Sequence, residues 1–271
     1  MANDYKIELD QHNDRIIVII QNNSTKALNE LSDLLKERKV GKVICYVHEN
    51  ATEPFLEQDW EVEGTVSTFF STGKAIVFSH FFNQARRTLG EGSKNEGTFD
   101  VTKRQSSFKK EILRQSFSLR RLSPKDAPAL VQLYQKVFIH YPTNIFSEAY
   151  LASVMRKGAR FVGIYVKETL VCAASGIENG FGGVEITDCA TDPKYQGKKL
   201  LFYVLEELEQ WLEDEKIMNL YSITRSRSYA MNLTVLRRGY RYEGTMIKNC
   251  LIGEGFEDMH IWTKSIGKAR D

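Results

Sequence analysis

The run Val184-Glu185-Ile186-Thr187-Asp188-Cys189-Ala190-Thr191-Asp192-Pro193-Lys194-Tyr195-Gln196-Gly197-Lys198 reads as a strand that breaks at Asp192-Pro193 and turns into a helix. The helix is predicted over Lys199 to Lys216. Leu201, Val204, Leu205, Leu208, Trp211 and Leu212 recur on one face, and Glu206, Glu207, Glu209 and Glu213 fall largely on the other. Upstream of this unit, strands are expected at Phe117 to Leu122, Phe161 to Val166 and Thr169 to Ile177. Between the first two lie a helix opened by Ser123-Pro124 that runs to about Phe138 and a short helix at Glu148 to Arg156. Downstream follow a strand at Leu220 to Thr224, a helix at about Tyr229 to Arg238 ended by Gly239, and strands at Arg241 to Leu251 and Glu257 to Lys264.

The first 90 residues form a second, smaller pattern. Arg15 to Ile20 and Val43 to His48 look like buried strands around a helix at Thr25 to Arg38, followed by strand-like stretches at Trp60 to Ser67 and Lys74 to Phe82. The aromatic cluster Phe69, Phe70, Phe78, Phe81 and Phe82 is read as core or a domain interface. Residues 91–116 are rich in Gly, Ser, Asn and charge and read as a polar basic linker. The expected organisation is therefore an accessory α/β domain over 1–90, that linker, and a larger α/β domain over 117–271. Net charge divides as −3 over residues 1–90, +4 over 91–121 and +1 over 122–271, within a total of +2. Such a balance argues against a dedicated nucleic-acid binder. With 42% apolar and 11% aromatic residues in 271 there is material for a packed core, which excludes a disordered or fibrous chain.

Cys45, Cys172, Cys189 and Cys250 form no CxxC pair and are expected to be reduced core residues. The five histidines lack ligand spacing, so no metal site is expected. The longest early apolar run, Ile16 to Ile20, falls far short of the ~20 residues that cross a bilayer, and the chain is expected to be cytoplasmic and without a membrane partner.

The element order from Phe117 onward, an α/β (α+β) mixed sheet, resembles the GNAT superfamily of acyl-CoA-dependent N-acetyltransferases. Glu185 to Lys198 resembles the fourth strand and pyrophosphate loop of that family. Thr224 to Asn232 with Arg238-Gly239-Tyr240-Arg241-Tyr242-Glu243-Gly244 resembles its fifth strand, fourth helix and closing hairpin. Within the superfamily the chain is similar to the β-lysine N-acetyltransferases, through Val137-Phe138 with Tyr141-Pro142, Glu185-x-Thr187-Asp188, Met231-Asn232 before Gly239-Tyr240, and the ending Glu257-Asp258-Met259 with Ile261-Trp262. Residues 1–90 faintly resemble the C-terminal half of a GNAT domain, a degenerate half-repeat placed to pack on the catalytic part or on another subunit, so a homodimer is one expected state.

The resemblance implies acetyl-CoA as co-substrate, a small-molecule amine as acceptor, and direct transfer without a side-chain nucleophile. A strand turning into a helix presents backbone N–H groups and a positive dipole end to an anion, which places Gln196, Gly197, Lys198, Lys199 and Leu200 at the pyrophosphate. The family pattern places Gly, and then Gly or Ala, where Lys199 and Leu201 stand here. Cys189, Ala190 and Thr191, where strands splay, and Asn232 are the other expected cofactor contacts, with backbone N–H groups near Cys189 and Ala190 as the oxyanion donors. A lysine-type amine has a pKa near 10.4, so about one molecule in a few thousand is nucleophilic at pH 7 and a proton acceptor is needed. Glu185 matches the general base of acetyltransferases of this superfamily, and Asp188 is the second catalytic candidate; on an ideal strand it faces away from Glu185 unless a bulge re-aims it. Either carboxylate could instead pair with Arg225 or Arg227. Tyr141, Asn144, Glu178, Arg225 and Asp258 are expected at the acceptor, with Arg225 on its carboxylate. The tyrosine that protonates the thiolate in the family is replaced by Val235, so the general acid is unassigned. Two other functions remain open at this level: a non-catalytic acyl-CoA-binding or interaction module, and an enzyme acting on a protein lysine or a polyamine.

Overall fold

A computed structural model describes residues 4–22, 24–56, 59–88 and 116–267. The expected linker lies, except for Ser116, outside the described residues. One twelve-stranded sheet runs through both parts of the chain. In chain order its strands are β1 (Tyr5–Asp10), β2 (Arg15–Ile20), β3 (Lys42–His48), β4 (Glu61–Val66), β5 (Ala75–Phe81), β6 (Ser118–Arg121), β7 (Arg160–Val166), β8 (Thr169–Glu178), β9 (Val184–Thr191), β10 (Asn219–Arg225), β11 (Arg241–Ile252) and β12 (Gly255–Ser265). In space the order is β1-β2-β3-β5-β4-β11-β12-β10-β9-β8-β7-β6. The helices are α1 (Ser24–Glu37), α2 (Glu53–Leu56), α3 (Ala127–Val137), α4 (Glu148–Arg156), α5 (Leu200–Asp214) and α6 (Tyr229–Arg237).

Strand β1 was not among the expected elements, although Tyr5, Ile7 and Leu9 alternate with polar residues. It pairs antiparallel with β2 along its whole length and covers an edge that would otherwise expose a row of unpaired backbone groups.

The same connectivity occurs twice. Strand, helix, parallel strand, helix and closing hairpin are β2-α1-β3-α2-β4-β5 in the N-terminal unit and β9-α5-β10-α6-β11-β12 in the C-terminal one, with matching spatial orders β2-β3-β5-β4 and β9-β10-β12-β11. The two units meet at equivalent strands, β4 and β11, which run antiparallel and pair at Gly64↔Gly244. Each of these strands has a register shift immediately before its glycine, Val62/Gly64 and Tyr242/Gly244. Each glutamate just before the glycine reaches across the junction: Glu63 Oε1 accepts from the N–H of Ile247 at 2.6 Å, and Glu243 Oε2 from the N–H of Ser67 at 2.8 Å. A local two-fold relation thus passes between Gly64 and Gly244. A Cβ on Gly64 would lie 2.7 Å from the Glu243 carbonyl oxygen and 2.8 Å from the Gly244 Cα, so the backbones approach as closely as glycine allows.

The hairpin turns of the two units clasp each other by the same rule. Ser71 donates its N–H to the Phe181 carbonyl, and Thr68 Oγ1 donates to the Leu220 carbonyl. On the other side Leu251 donates its N–H to Asn13 Oδ1, and Arg15 Nη1 donates to the Asn249 carbonyl at 2.9 Å. Phe69, Phe70, Val66 and Val77 from one unit pack with Phe181, Tyr221, Met246, Met259 and Ile261 from the other in a shared core. The expected aromatic cluster is accordingly interface and core, except that Phe82 is half exposed. Glu209, expected on a solvated face, is instead buried and clamps Arg238 (2.5 Å) and Lys264 (2.6 Å). Among the described residues no helix is long and apolar enough to cross a membrane, and no group of three or more His, Cys, Asp or Glu is placed to hold a metal ion.

Candidate active site

The site is made by an irregularity in β9. Its pairing with β8 slips between Ala173↔Ala190 and Ser175↔Thr187, and Asp188 at the slip has φ +51°. The consequence is seen in the packing. Cys189 joins the core under α5 with Ile186, whereas Ala190 joins the core under α3 and α4. In a regular strand 189 and 186 would face opposite sides. The bulge therefore turns Asp188 onto the face of Glu185, as bulges beside active sites commonly do.

Asp188 is buried, and its Oδ2 accepts from Ser175 Oγ at 2.7 Å. Tyr141 stands against it from the segment between α3 and α4, its hydroxyl 3.5 Å from Thr187 Oγ1, and burial and the nearby Asp188 charge both raise the tyrosine pKa. Burial raises the Asp188 pKa against the bond from Ser175. Glu185 is half-buried and, among the described residues, its carboxyl has no hydrogen-bond or ion-pair partner. Burial pushes its pKa up to about 7, the Asp188 charge adds to the rise, and Arg15 of the N-terminal unit opposes it. A carboxyl poised near neutrality and free of partners is what a general base requires.

Beside it the sheet opens. Strands β9 and β10 are parallel and paired at Leu220↔Val184 and Tyr221↔Glu185 alone among the described residues; the next contact is Ser222 Oγ donating to the Ile186 carbonyl at 2.8 Å. Beyond it the strands diverge, so main-chain groups of Thr187 to Ala190 on that side have no strand partner. At the far end of the opening, Asp192 caps a short 3-10 turn, Pro193–Tyr195, by accepting from the Lys194 N–H at 2.9 Å. Gln196 is extended, Gly197 has φ +76° with open space around it, and Lys199 enters α5 with φ +59°. Lys199 thus adopts, as a non-glycine residue, the left-handed conformation that the family pattern meets with glycine. The first-turn N–H groups of α5, which have no partner within the helix, lie at this turn. Leu200 is buried under the sheet, so only its main chain is available there.

The other expected residues separate into those the fold brings together and those it places elsewhere. Glu185, Asp188 and Tyr141 converge. Cys189, Ala190 and Thr191 line the opening with their backbone; the Thr191 side chain is engaged by Cys172 Sγ at 3.3 Å. Asn232, expected on the cofactor, is fully buried with its amide saturated by the protein: Oδ1 accepts from Thr224 Oγ1 and Trp262 Nε1, and Nδ2 donates to the carbonyls of Arg225 and Ser226. It pins α6 to the end of β10. Arg225, expected on the acceptor or on Glu185, makes a bidentate pair with Glu257 at 2.8 and 2.7 Å. Asp258 is buried and accepts from the Lys248 N–H at 2.7 Å, holding the irregular part of the β11–β12 hairpin. Asn144 is exposed, and Glu178 pairs with Arg160. Val235 is a fully buried core residue.

Two residues the sequence did not single out stand at the site instead, both from the N-terminal unit. Tyr46 stacks on Phe69 (4.8 Å), which packs against Tyr221 (5.4 Å), the register neighbour of Glu185. Arg15 is buried and bonded to the β11–β12 hairpin. No local motif marks either, because each meets the C-terminal unit more than a hundred residues away, Tyr46 through Met246 Sδ at 3.4 Å and Arg15 through the Asn249 carbonyl.

The comparisons with known proteins agree with this geometry. The model of the acetyltransferase (GNAT) family matches residues 127–240. The chain is 30% identical to the N-acetyltransferase YodP of Bacillus subtilis over 96% of its length and 95% of that protein. It is also 30% identical to the beta-lysine N(6)-acetyltransferase of Methanococcus maripaludis, over 97% of this chain and 96% of that one. Among solved structures, yncA of Salmonella typhimurium with its cofactor acetyl-CoA superposes with a TM-score of 0.50 at 14% identity, spanning 58% of this chain and 98% of its own. The full-length relatives thus include the N-terminal unit. The solved neighbour, aligned almost end to end, reaches little more than half of this chain. The family match and the full-length similarity, which agree with the bulged β9 and the opening beside it, show that the chain belongs to the GNAT family and is an N-acetyltransferase.

Proposed function

We propose that the protein transfers the acetyl group of acetyl-CoA to the terminal amine of β-lysine (3,6-diaminohexanoate). The observation that carries this reading is Glu185, a partnerless carboxyl with a pKa of about 7, at the mouth of an opening between strands. The diverging β9 and β10 offer main-chain groups to an extended, amide-containing arm. The turn from Gln196 to Leu200 offers N–H groups and the α5 dipole to a pyrophosphate, and Lys198 and Lys199 add positive charge.

In the reaction the acceptor ammonium gives a proton to Glu185 through a water, and the neutral amine attacks the thioester carbonyl. The oxyanion is met by backbone N–H groups near Cys189 and Ala190, and its collapse breaks the C–S bond as the attacking nitrogen gives up its second proton, which passes through water to the departing thiolate, leaving the amide and free CoA thiol. Cys189 is not a nucleophile, since burial raises its thiol pKa. Asp188 and Tyr141 shape the cation-binding side of the site. The beta-lysine acetyltransferase at 30% identity supports β-lysine as the acceptor, a small cation with a second charged end. The test is release of free thiol on mixing protein, acetyl-CoA and β-lysine. Turnover confined to polyamines or lysine-containing peptides would overturn the acceptor assigned here.

A further inference from the structure

We propose that Arg15, supplied by the N-terminal unit, binds the carboxylate of the acceptor, so that the N-terminal unit completes the substrate site. The inference rests on the acceptor class proposed above.

Arg15 lies at the start of β2, and its side chain is buried on the side of the sheet that faces the β11–β12 hairpin. There Nη1 donates to the Asn249 carbonyl at 2.9 Å and lies 3.7 Å from Cys250 Sγ, while Nε donates to Asp10 Oδ2 at 2.8 Å. Among the described residues, Nη2 has no partner. Cys250 in turn belongs to the shared core with Ile19, Ile44, Phe69 and Tyr221, and Tyr221 is in register with Glu185. The contact of Arg15 with Cys250 and the aromatic contacts Tyr46–Phe69 and Phe69–Tyr221 thus link the guanidinium to the strand pair that carries Glu185, and its charge acts on that carboxyl.

Arginine is suited to this place because its guanidinium keeps Asp10 at Nε and the β11–β12 hairpin at Nη1 while presenting Nη2 to a second carboxylate. The cation expected to serve the acceptor, Arg225, is placed elsewhere, where Glu257 pairs with its Nε and Nη2. An amino acid with amines at one end and a carboxylate at the other would lie with its terminal amine at Glu185 and Asp188 and its carboxylate at Arg15. The half-repeat then does more than brace the catalytic unit: it selects acceptors that carry an acid.

The test compares β-lysine with 1,4-diaminopentane, which is β-lysine without its carboxylate, in the full-length protein and in Arg15→Gln and Arg15→Lys. Wild type is expected to prefer β-lysine by about 10⁴-fold in kcat/KM, the scale at which a site built for a polar group rejects an analogue that lacks it. Arg15→Gln should erase that preference by raising KM for β-lysine and not for the diamine, while the change in kcat that follows from removing a positive charge acting on Glu185 is shared by both acceptors. Arg15→Lys, which retains the charge beside Asp10 but loses the fork, should keep part of the preference, and it decides the matter should the glutamine variant fail to fold. Loss of activity toward both acceptors alike, or a preference that survives in both variants, would overturn the role of Arg15. Failure of wild type to acetylate β-lysine would overturn the proposed function before any variant is made. Efficient acetylation of the diamine with none of β-lysine would overturn both.

Discussion

The two halves of this sheet are built from one connectivity and differ in a single respect that separates scaffold from catalyst. In the N-terminal unit the parallel strands β2 and β3 stay paired from Arg15↔Lys42 to Ile20↔Val47. In the C-terminal unit β9 and β10 part after Tyr221↔Glu185. A closed ladder satisfies its own backbone and has nothing to offer a ligand, whereas an opened one exposes donors and acceptors that an extended cofactor can use. The side chains follow the same division. Taking the equivalent registers, Ile17 occupies the place of Glu185, and β2 has no bulge to turn a second carboxylate toward it. Loss of the splay and loss of the base go together, and what remains of the first unit is an apolar face with the buried cations Arg15, Lys42 and Arg86.

The comparison breaks most sharply at Glu185. Glu185→Gln should lower kcat by about 10² to 10⁴ and flatten the pH–rate profile, which in wild type should rise through about pH 7 as the carboxyl ionises; a steady-state pH series reads both. A variant that keeps its rate would leave the two halves equivalent in chemistry.

Next in size is the junction. Gly64→Ala puts a methyl group within 3 Å of the backbone of the opposing strand and should cost about 1–3 kcal/mol in a denaturant melt, with the two units loosening together.

The same Glu185 has a stability signature of similar or smaller size. Its folded pKa of about 7 lies above the 4.5 of an unperturbed glutamate. The folded state therefore holds the proton more tightly, and that contribution, fully present below pH 4.5, is lost as pH rises through 7. Wild type should lose about 1–3 kcal/mol between pH 5 and 8 relative to Glu185→Gln; parallel thermal melts that show no divergence would remove the burial assigned to this carboxyl.

The smallest effect is expected at Lys199. Its positive φ is relieved by glycine, so Lys199→Gly should stabilise by about 0.5–1 kcal/mol, while KM for acetyl-CoA rises a few-fold from the lost charge. An unchanged KM would leave cofactor binding to the backbone of the turn alone.

The sequence was informative wherever a signal is local. Periodicity marks α5 and the long strands to within a residue or two, Ser123-Pro124 marks the start of the helical segment that becomes α3, and the Glu185 to Lys198 run marks the strand and turn that carry the base and the anion site. Even the faint likeness of the first 90 residues to half of the later domain has its counterpart in the repeated connectivity. It was uninformative wherever a residue takes its role from a distant partner. Asn232, Arg225 and Asp258 have the residue types a binding site needs, but Trp262, Glu257 and Lys248 use them for structure, and no spacing announces that.

By itself, then, the chain's sequence determined the element order, the GNAT character of the C-terminal part, and Glu185 as the candidate base, because these rest on periodicity and on a contiguous motif. The tertiary structure decided three further things. The bulge turned Asp188 toward Glu185, β9 and β10 parted to open the sheet, and the N-terminal unit brought Arg15 and Tyr46 to the site through the pairing of Gly64 with Gly244. Each depends on backbone register between segments far apart in the chain. Register is set by the joint packing of whole strands, not by the residues whose roles it assigns.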